Sequence, residues 1–204
     1  MSLINRIELS NFLDKSGGSD WNPTYRHCVL DLKGQSTAIV LMNGSGKTTI
    51  NTAILGLLSR QRTLVSNMRK VFAPDSSGVH THVRVEFIQP DMKTSVPTLP
   101  TISQTITGEK YVFGVCGFRD GSQSLKYYCY PGILEDVPVA NVNDGSIELL
   151  FNEEFAKIIR EKNGARQGTS KDEWLDRVHD HWGAQQLNQM VSFLQDGGGD
   201  KSAS

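Results

Sequence analysis

A run of seven residues, Asn-Gly-Ser-Gly-Lys-Thr-Thr at positions 43–49, constrains the fold of this 204-residue chain more than any other feature. The residues before it, 38–42, are continuously apolar, which predicts a strand covered on both faces. After it, apolar residues recur at the spacing of one helix face, at Ile50, Ala53, Ile54, Leu57 and Leu58. The sequence therefore predicts a strand, a glycine-rich loop and a buried helix in succession.

A loop of this kind suits a phosphate group. Backbone N–H groups converge on a small volume only where side chains are small, as they are in residues 43–46. The first turn of the helix adds unpaired N–H groups and the positive end of its dipole. Lys47 supplies a cation for phosphate oxygens, and the Thr48 hydroxyl is placed where a phosphate-bound Mg²⁺ would lie. We predict a nucleotide site formed by Asn43, Gly44, Ser45, Gly46, Lys47, Thr48 and Thr49.

Leu41 departs from the usual pattern, in which a first glycine precedes Gly-Lys-Ser/Thr by four residues. That position comes at the strand end, before the N–H groups that would contact phosphate, so its glycine eases the turn rather than binding the ligand. We expect the loop to bind nucleotide in spite of Leu41. The alternative is an ordinary turn followed by a solvated Lys47, in a structural scaffold with a vestigial loop.

The remaining patterns divide the chain into four segments. Residues 1–70 form the core around the loop, with a half-buried strand predicted at 3–12 and a further strand at 26–32. Residues 79–140 contain strand-like runs separated by turns and predict a β-meander of three or four strands, with the runs at 79–88, 101–106, 110–118 and 125–133.

The last two segments are helical and glycine-rich. Residues 145–194 predict helices, the first with an apolar face at Ile147, Leu150, Phe151, Phe155, Ile158 and Ile159. Ser170 and Glu173 have the spacing of a capping box before a second helix, and a third run covers 184–195. A glycine-rich end follows at 195–204.

Charge, cysteine and histidine content limit the function classes. With 21 basic and 22 acidic residues, no global basic field indicates nucleic acid, so any DNA contact is local. The candidate is a cluster of four cations after the loop helix, and its alternative is a solvated helix end: Arg60, Arg62, Arg69 and Lys70. The three cysteines predict buried free thiols in a reducing cytosol, and the pairs His80/His82 and His179/His181 predict surface or packing roles rather than zinc. No apolar run is long enough to span a membrane, so we expect a soluble, cytoplasmic protein.

The order of elements over residues 1–58 resembles the N-terminal head segment of the SMC-like ATPases. This branch of the ABC class includes condensins, MukB and MksB, the Wadjet plasmid-defence ATPases, RecF and RecN. The resemblance is carried by the opening strand LINRIELSNF and by NGSGKTT, which is similar to the family's Asn-Gly-(Ser/Ala)-Gly-Lys-(Ser/Thr) core. Residues 111–132 look most like the MukB/MksB type.

The resemblance implies an α/β fold, a P-loop NTPase lobe of the ABC head type with a mixed sheet, an inserted β-meander and C-terminal helices. It implies ATP and Mg²⁺ as cofactors. Gln195 is then the candidate for the Q-loop glutamine that contacts Mg²⁺, with Gln89 and Gln104 as weaker candidates. The alternative is that Gln195 only ends a helix before a linker.

The same resemblance implies an ATPase whose head is completed elsewhere. The sequence contains no apolar run ending in Asp-Glu and no LSGGQ-like signature, so no catalytic residue is expected within the chain. The implied partners are the C-terminal half of its own head, a second head, DNA and kleisin-type subunits, with a nucleoid-associated location and a role in chromosome organisation, repair or plasmid defence. A self-contained P-loop kinase or GTPase is the alternative enzyme, although no Asn-Lys-x-Asp guanine motif is present.

Overall fold

The computed structural model describes residues 2–12, 25–35, 37, 46–91, 106–121, 123–182, 189 and 192. They form a mixed α/β structure. Its strands are β1 (Leu3–Phe12), β2 (Tyr25–Asp31), β3 (Thr81–Pro90), β4 (Gly108–Gly117), β5 (Lys126–Pro131), β6 (Ala140–Asn143), β7 (Ser146–Leu149) and β8 (Arg166–Gly168). Its helices are α1 (Lys47–Leu58), α2 (Arg62–Arg69), α3 (Asn152–Glu161) and α4 (Lys171–Trp182), with 3₁₀ turns at Asp75–Ser77 and Leu134–Asp136.

Six strands form one sheet in the order β2-β1-β3-β4-β5-β8. Every pair of neighbours in it is antiparallel. The consecutive, adjacent strands β3, β4 and β5 are the meander predicted for this region. The strand predicted at 38–42, and with it any parallel pairing, lies outside the described residues.

One face of the sheet is apolar and carries the larger core. Side chains alternate between the two faces of a strand, so Ile7, Leu9, Val83 and Val85 point to the same side. They join a buried cluster with residues of α1, α2 and α4. The predicted helix at 47–58 is confirmed, and its five predicted stripe residues are buried.

The other face of the sheet is polar and is also buried. Glu8, His82, Arg84 and Glu86 alternate with the apolar residues and are each less than 5% exposed. A second cluster, which includes residues of α3 and of the segment 132–139, lies on this side. The prediction that β1 is half-buried is therefore wrong for its second half, since residues 7–12 are all buried.

The predicted helix from residue 145 begins later than expected. Residues 146–149 form β7, which pairs with β6 across a two-residue turn at Asp144 and Gly145. Both turn residues have positive φ, 44° and 83°, as a type I′ hairpin requires, and Asp-Gly is a preferred sequence for it. Helix α3 starts at Asn152, and Phe151, predicted to lie on the buried face, is 63% exposed at its N-cap.

Candidate functional site

The start of α1 carries the described part of the predicted phosphate loop. Gly46 is the N-cap and has a left-handed backbone, with φ 85° and ψ 17°, which glycine adopts without strain. The Ile50 N–H donates to the Gly46 carbonyl at 2.9 Å and begins the helical bonding. The N–H groups of the first turn lie before that bond, the N-cap glycine has no side chain, and no acidic residue lies in the first turn. The helix end is therefore electrostatically suited to an anion.

The side chains at this end differ in exposure. Lys47 and Thr48 are exposed, whereas Thr49 is buried. An exposed ammonium and an exposed hydroxyl can reach a ligand at the helix end, while Thr49 can contribute its backbone N–H. The remaining predicted site residues, Asn43, Gly44, Ser45 and Gln195, and the weaker candidate Gln104, lie outside the described residues; Gln89 is exposed near the end of β3.

Helix α1 is held firmly at its other end. Gly56 packs against α2 so closely that a Cβ there would lie 2.8 Å from the Met68 sulfur. The Lys171 ammonium, at the start of α4, donates to the Gly56 carbonyl at 2.9 Å. Burial lowers the pKa of Lys171 to about 8. A helix fixed by its C-terminal half presents its N-terminal N–H groups at a defined position.

The four cations after α1 do not form a single exposed patch. Arg60 pairs with Asp176 of α4 at 2.6 Å, and Asp172 lies 3.9 Å away. Arg69 is half-buried and donates to backbone carbonyls after β4, including those of Phe118 at 2.9 Å and Asp120 at 2.6 Å. These two arginines therefore have partners within the chain, Arg69 at a half-buried position and Arg60 at an exposed one.

The other two cations form no ion pair with another residue that the structure describes. Arg62 is exposed, as is Lys70, whose ammonium contacts the Asn67 side chain at 3.0 Å. A contact between this region and DNA stays a prediction, and it depends mainly on Arg62 and Lys70.

A second cluster of reactive side chains lies on the polar face of the sheet. His80, His82 and Cys116 are buried, and one potential ligand atom from each lies within 4.8 Å of the other two. His82 and Cys116 are directly opposite in the register of β3 and β4, and His80 precedes His82 by two residues. Sequence reasoning assigned both histidines to packing or the surface. The His-x-His spacing on a strand was the only local signal of the cluster.

The environment keeps these three groups neutral. Burial, aided by the positive charge of Lys126, lowers the pKa of His80 to about 4. Burial and the nearby Arg84 charge lower the pKa of His82 well below its usual value. Burial raises the pKa of the Cys116 thiol to about 12. The three cysteines are free as predicted, but only Cys116 is fully buried.

Comparison with protein-family models finds no family that matches the chain, and a search of curated proteins finds no match either. Within the described ranges, no helix is long and apolar enough to cross a membrane.

Proposed function

We propose that this chain is the ATP-binding N-terminal segment of an SMC-like, DNA-acting ATPase. One observation carries the proposal: a left-handed Gly46 is the N-cap of a twelve-residue, largely buried helix that has no acidic residue in its first turn. The sequence NGSGKTT runs through this point, and its Lys47 and Thr48 are exposed there. The family assignment rests on the sequence resemblance over residues 1–58.

Each group has a defined part in nucleotide binding. The first-turn N–H groups of α1 would donate to phosphate oxygens, and the dipole of α1 favours their negative charge. Lys47 would neutralise the terminal phosphates, and Thr48 would hold Mg²⁺ through its hydroxyl. ATP bound with Mg²⁺ supplies the phosphoryl group for transfer to water.

Hydrolysis needs groups that the sequence does not contain. Phosphoryl transfer depends on positioning the attacking water and neutralising charge on the γ-phosphate. Without an Asp-Glu pair after an apolar run and without a signature motif, the chain would bind ATP and not turn it over. We therefore propose that turnover requires the C-terminal half of the head and an opposing head, with DNA and kleisin-type subunits as further partners.

A titration with Mg-ATP tests the nucleotide site. Wild-type protein and the control variant Lys157→Ala, which removes an exposed lysine from α3, should bind with equal affinity. Lys47→Ala should bind at least about tenfold more weakly, a loss of about 1.4 kcal/mol, without a change in melting temperature because the residue is exposed. If Lys47→Ala binds Mg-ATP as tightly as wild type, or if wild type does not bind at millimolar Mg-ATP, the alternative of a structural scaffold with a vestigial loop is favoured.

A turnover assay tests the half-head proposal separately. The purified chain should release no phosphate from ATP above background. Steady phosphate release that disappears in Lys47→Ala, and so does not come from a contaminant, would instead identify a self-contained P-loop enzyme.

A further inference from the structure

We propose that His80, His82 and Cys116 form a buried zinc site on the polar face of the sheet, distinct from the proposed nucleotide site. The start of β3 brings the three donors together: Cys116 is the cross-strand partner of His82, and His80, the residue before β3, has its ring 6.3 Å from the His82 ring. Helix α1 packs on the opposite, apolar face of the same sheet.

The spacing of the donors is close to that of a metal site. The three ligand atoms lie within 4.8 Å of one another. Tetrahedral zinc, with Zn–N of about 2.0–2.1 Å and Zn–S of about 2.3 Å, places its donors roughly 3.3–3.8 Å apart. Separations at the upper limit would therefore have to shorten by about 1–1.5 Å for the site to close around an ion.

A second layer of contacts orients His82 for metal binding. Its Nδ1 lies 3.0 Å from the Tyr128 hydroxyl, which leaves Nε2 to bind an ion. Tyr128 reaches this position because Gly114 lies opposite it on β4; a Cβ at Gly114 would lie 2.5 Å from the Tyr128 ring. Metal-binding histidines commonly carry such a hydrogen bond on their other nitrogen.

One feature distinguishes the cluster from ordinary packing. The hydroxyl of Ser10, the cross-strand partner of His82 on β1, is buried and has no hydrogen-bond partner among the described residues. Buried polar groups are normally satisfied. An ion with one bound water would use the imidazoles and give Ser10 a partner.

The donor set selects the metal. Two neutral imidazoles and one thiol are borderline to soft ligands, which suit Zn²⁺ and do not suit Mg²⁺ or Ca²⁺. On binding, the Cys116 S–H bond breaks, its proton leaves to solvent, and the sulfur electron pair forms the bond to zinc. No electron is transferred. Aromatic rings surround the site, with Phe118 4.6 Å from the His80 ring and Phe155 4.5 Å from the His82 ring.

Cobalt titration provides the direct test, since Co²⁺ takes the same tetrahedral ligands and reports a thiolate by charge-transfer absorption. The chelator-treated protein should bind one equivalent of Co²⁺ alone, with that band, and Zn²⁺ alone should displace it. Cys116→Ser should lose the band, whereas the control Cys129→Ser, at another free cysteine, should keep it. His80→Gln should weaken binding about tenfold or more, and the control His179→Gln should not.

Thermal unfolding with Zn²⁺ provides a second test, which does not require Cys116→Ser to fold. Zn²⁺ alone should raise the melting temperature of wild type and of both controls, because it binds only the native state. At the same Zn²⁺ concentration it should raise that of His80→Gln by less. The proposal is overturned if wild type binds no stoichiometric Co²⁺ or Zn²⁺, if Cys116→Ser keeps the thiolate band, or if only Cu⁺ binds.

Discussion

Arg84 and Glu8 lie directly opposite each other on β3 and β1 and form an ion pair, although their side chains are only 1% and 5% exposed. The other Glu8 oxygen lies 2.7 Å from Nε2 of His27. Arg84 also donates to the Tyr130 hydroxyl at 3.0 Å and to the Val137 carbonyl. Both charges therefore have several partners, which is the condition under which a buried ion pair is tolerated.

Removing one partner of this pair should strongly destabilise the fold. Glu8→Gln leaves the Arg84 charge buried without a counter-ion, so we expect a loss of about 3–5 kcal/mol in the free energy of unfolding, measured in urea. Glu135→Gln is the matched control: its carboxylate pairs with Arg6 but is 61% exposed, and its loss should stay below about 1 kcal/mol. Similar losses in the two variants would contradict this account.

The same pair should make stability depend on acidity. Burial alone would raise the pKa of Glu8, but the Arg84 charge and hydrogen bonds from His27 and Arg84 hold it below the usual 4.5. The native state therefore binds a proton at Glu8 more weakly than the unfolded state does. The contribution of the Glu8 carboxylate to the free energy of unfolding is complete above pH 4.5 and is lost as the pH falls through the native pKa. Urea unfolding at a series of pH values should show a shallower decline below pH 4.5 in Glu8→Gln than in the exposed control Glu154→Gln.

The elements that the sequence predicts well are those whose pattern is local. The alternation in β1 and the helical stripe in α1 identify these elements with their observed bounds. The burial of Glu8 and Arg84 could not be predicted from a local pattern. Charged residues that alternate with apolar ones normally indicate a face in water. Here α3 and residues 132–139 cover that face, and the strand pattern carries no information about them.

The two candidate sites also differ in whether their residues are neighbours in the sequence. The phosphate loop is contiguous, so its residues are recognisable from the sequence. The cluster of His82 and Cys116 depends on the register of β3 and β4, which joins residues far apart in the chain. The hairpin of β6 and β7 was missed for another reason. Asp144-Gly145 is a local turn signal, but the spacing of Ile147 and Leu150 fits one face of a helix, and the helix was predicted instead.

The space beside Gly114 should be essential for the position of Tyr128. Gly114→Ala places a methyl group 2.5 Å from the Tyr128 ring, so the ring must move away from His82. We expect a destabilisation of about 1–3 kcal/mol in urea unfolding. Gly168→Ala, at a strand position where a Cβ meets nothing within 4 Å, is the control and should change stability by less than about 0.5 kcal/mol. An unchanged free energy of unfolding in Gly114→Ala would show that the sheet accommodates the methyl group.

Arg69 should act as a structural residue. Its guanidinium donates to the backbone carbonyls of Phe118, Asp120 and Gln123 and so ties α2 to the chain after β4. Arg69→Ala removes a charged donor from these groups, and we expect a loss of about 1.5–3 kcal/mol. Arg62→Ala, at an exposed position on the same helix, should lose less than about 0.5 kcal/mol. A comparable loss of stability in Arg62→Ala would contradict the assignment of a structural role to Arg69 and not to Arg62.

Arg62 should instead report on DNA. If the proposed ATPase contacts duplex phosphates through this region, Arg62→Ala should weaken binding at unchanged stability, because an exposed guanidinium can release a counterion from DNA. Fluorescence anisotropy with a labelled duplex at several salt concentrations should show a salt slope reduced by about one. Arg60→Ala is the control, since Arg60 pairs with Asp176 and is less available to DNA. Equal effects of the two variants on the slope, or none from Arg62→Ala, would remove this surface from the proposed DNA contact.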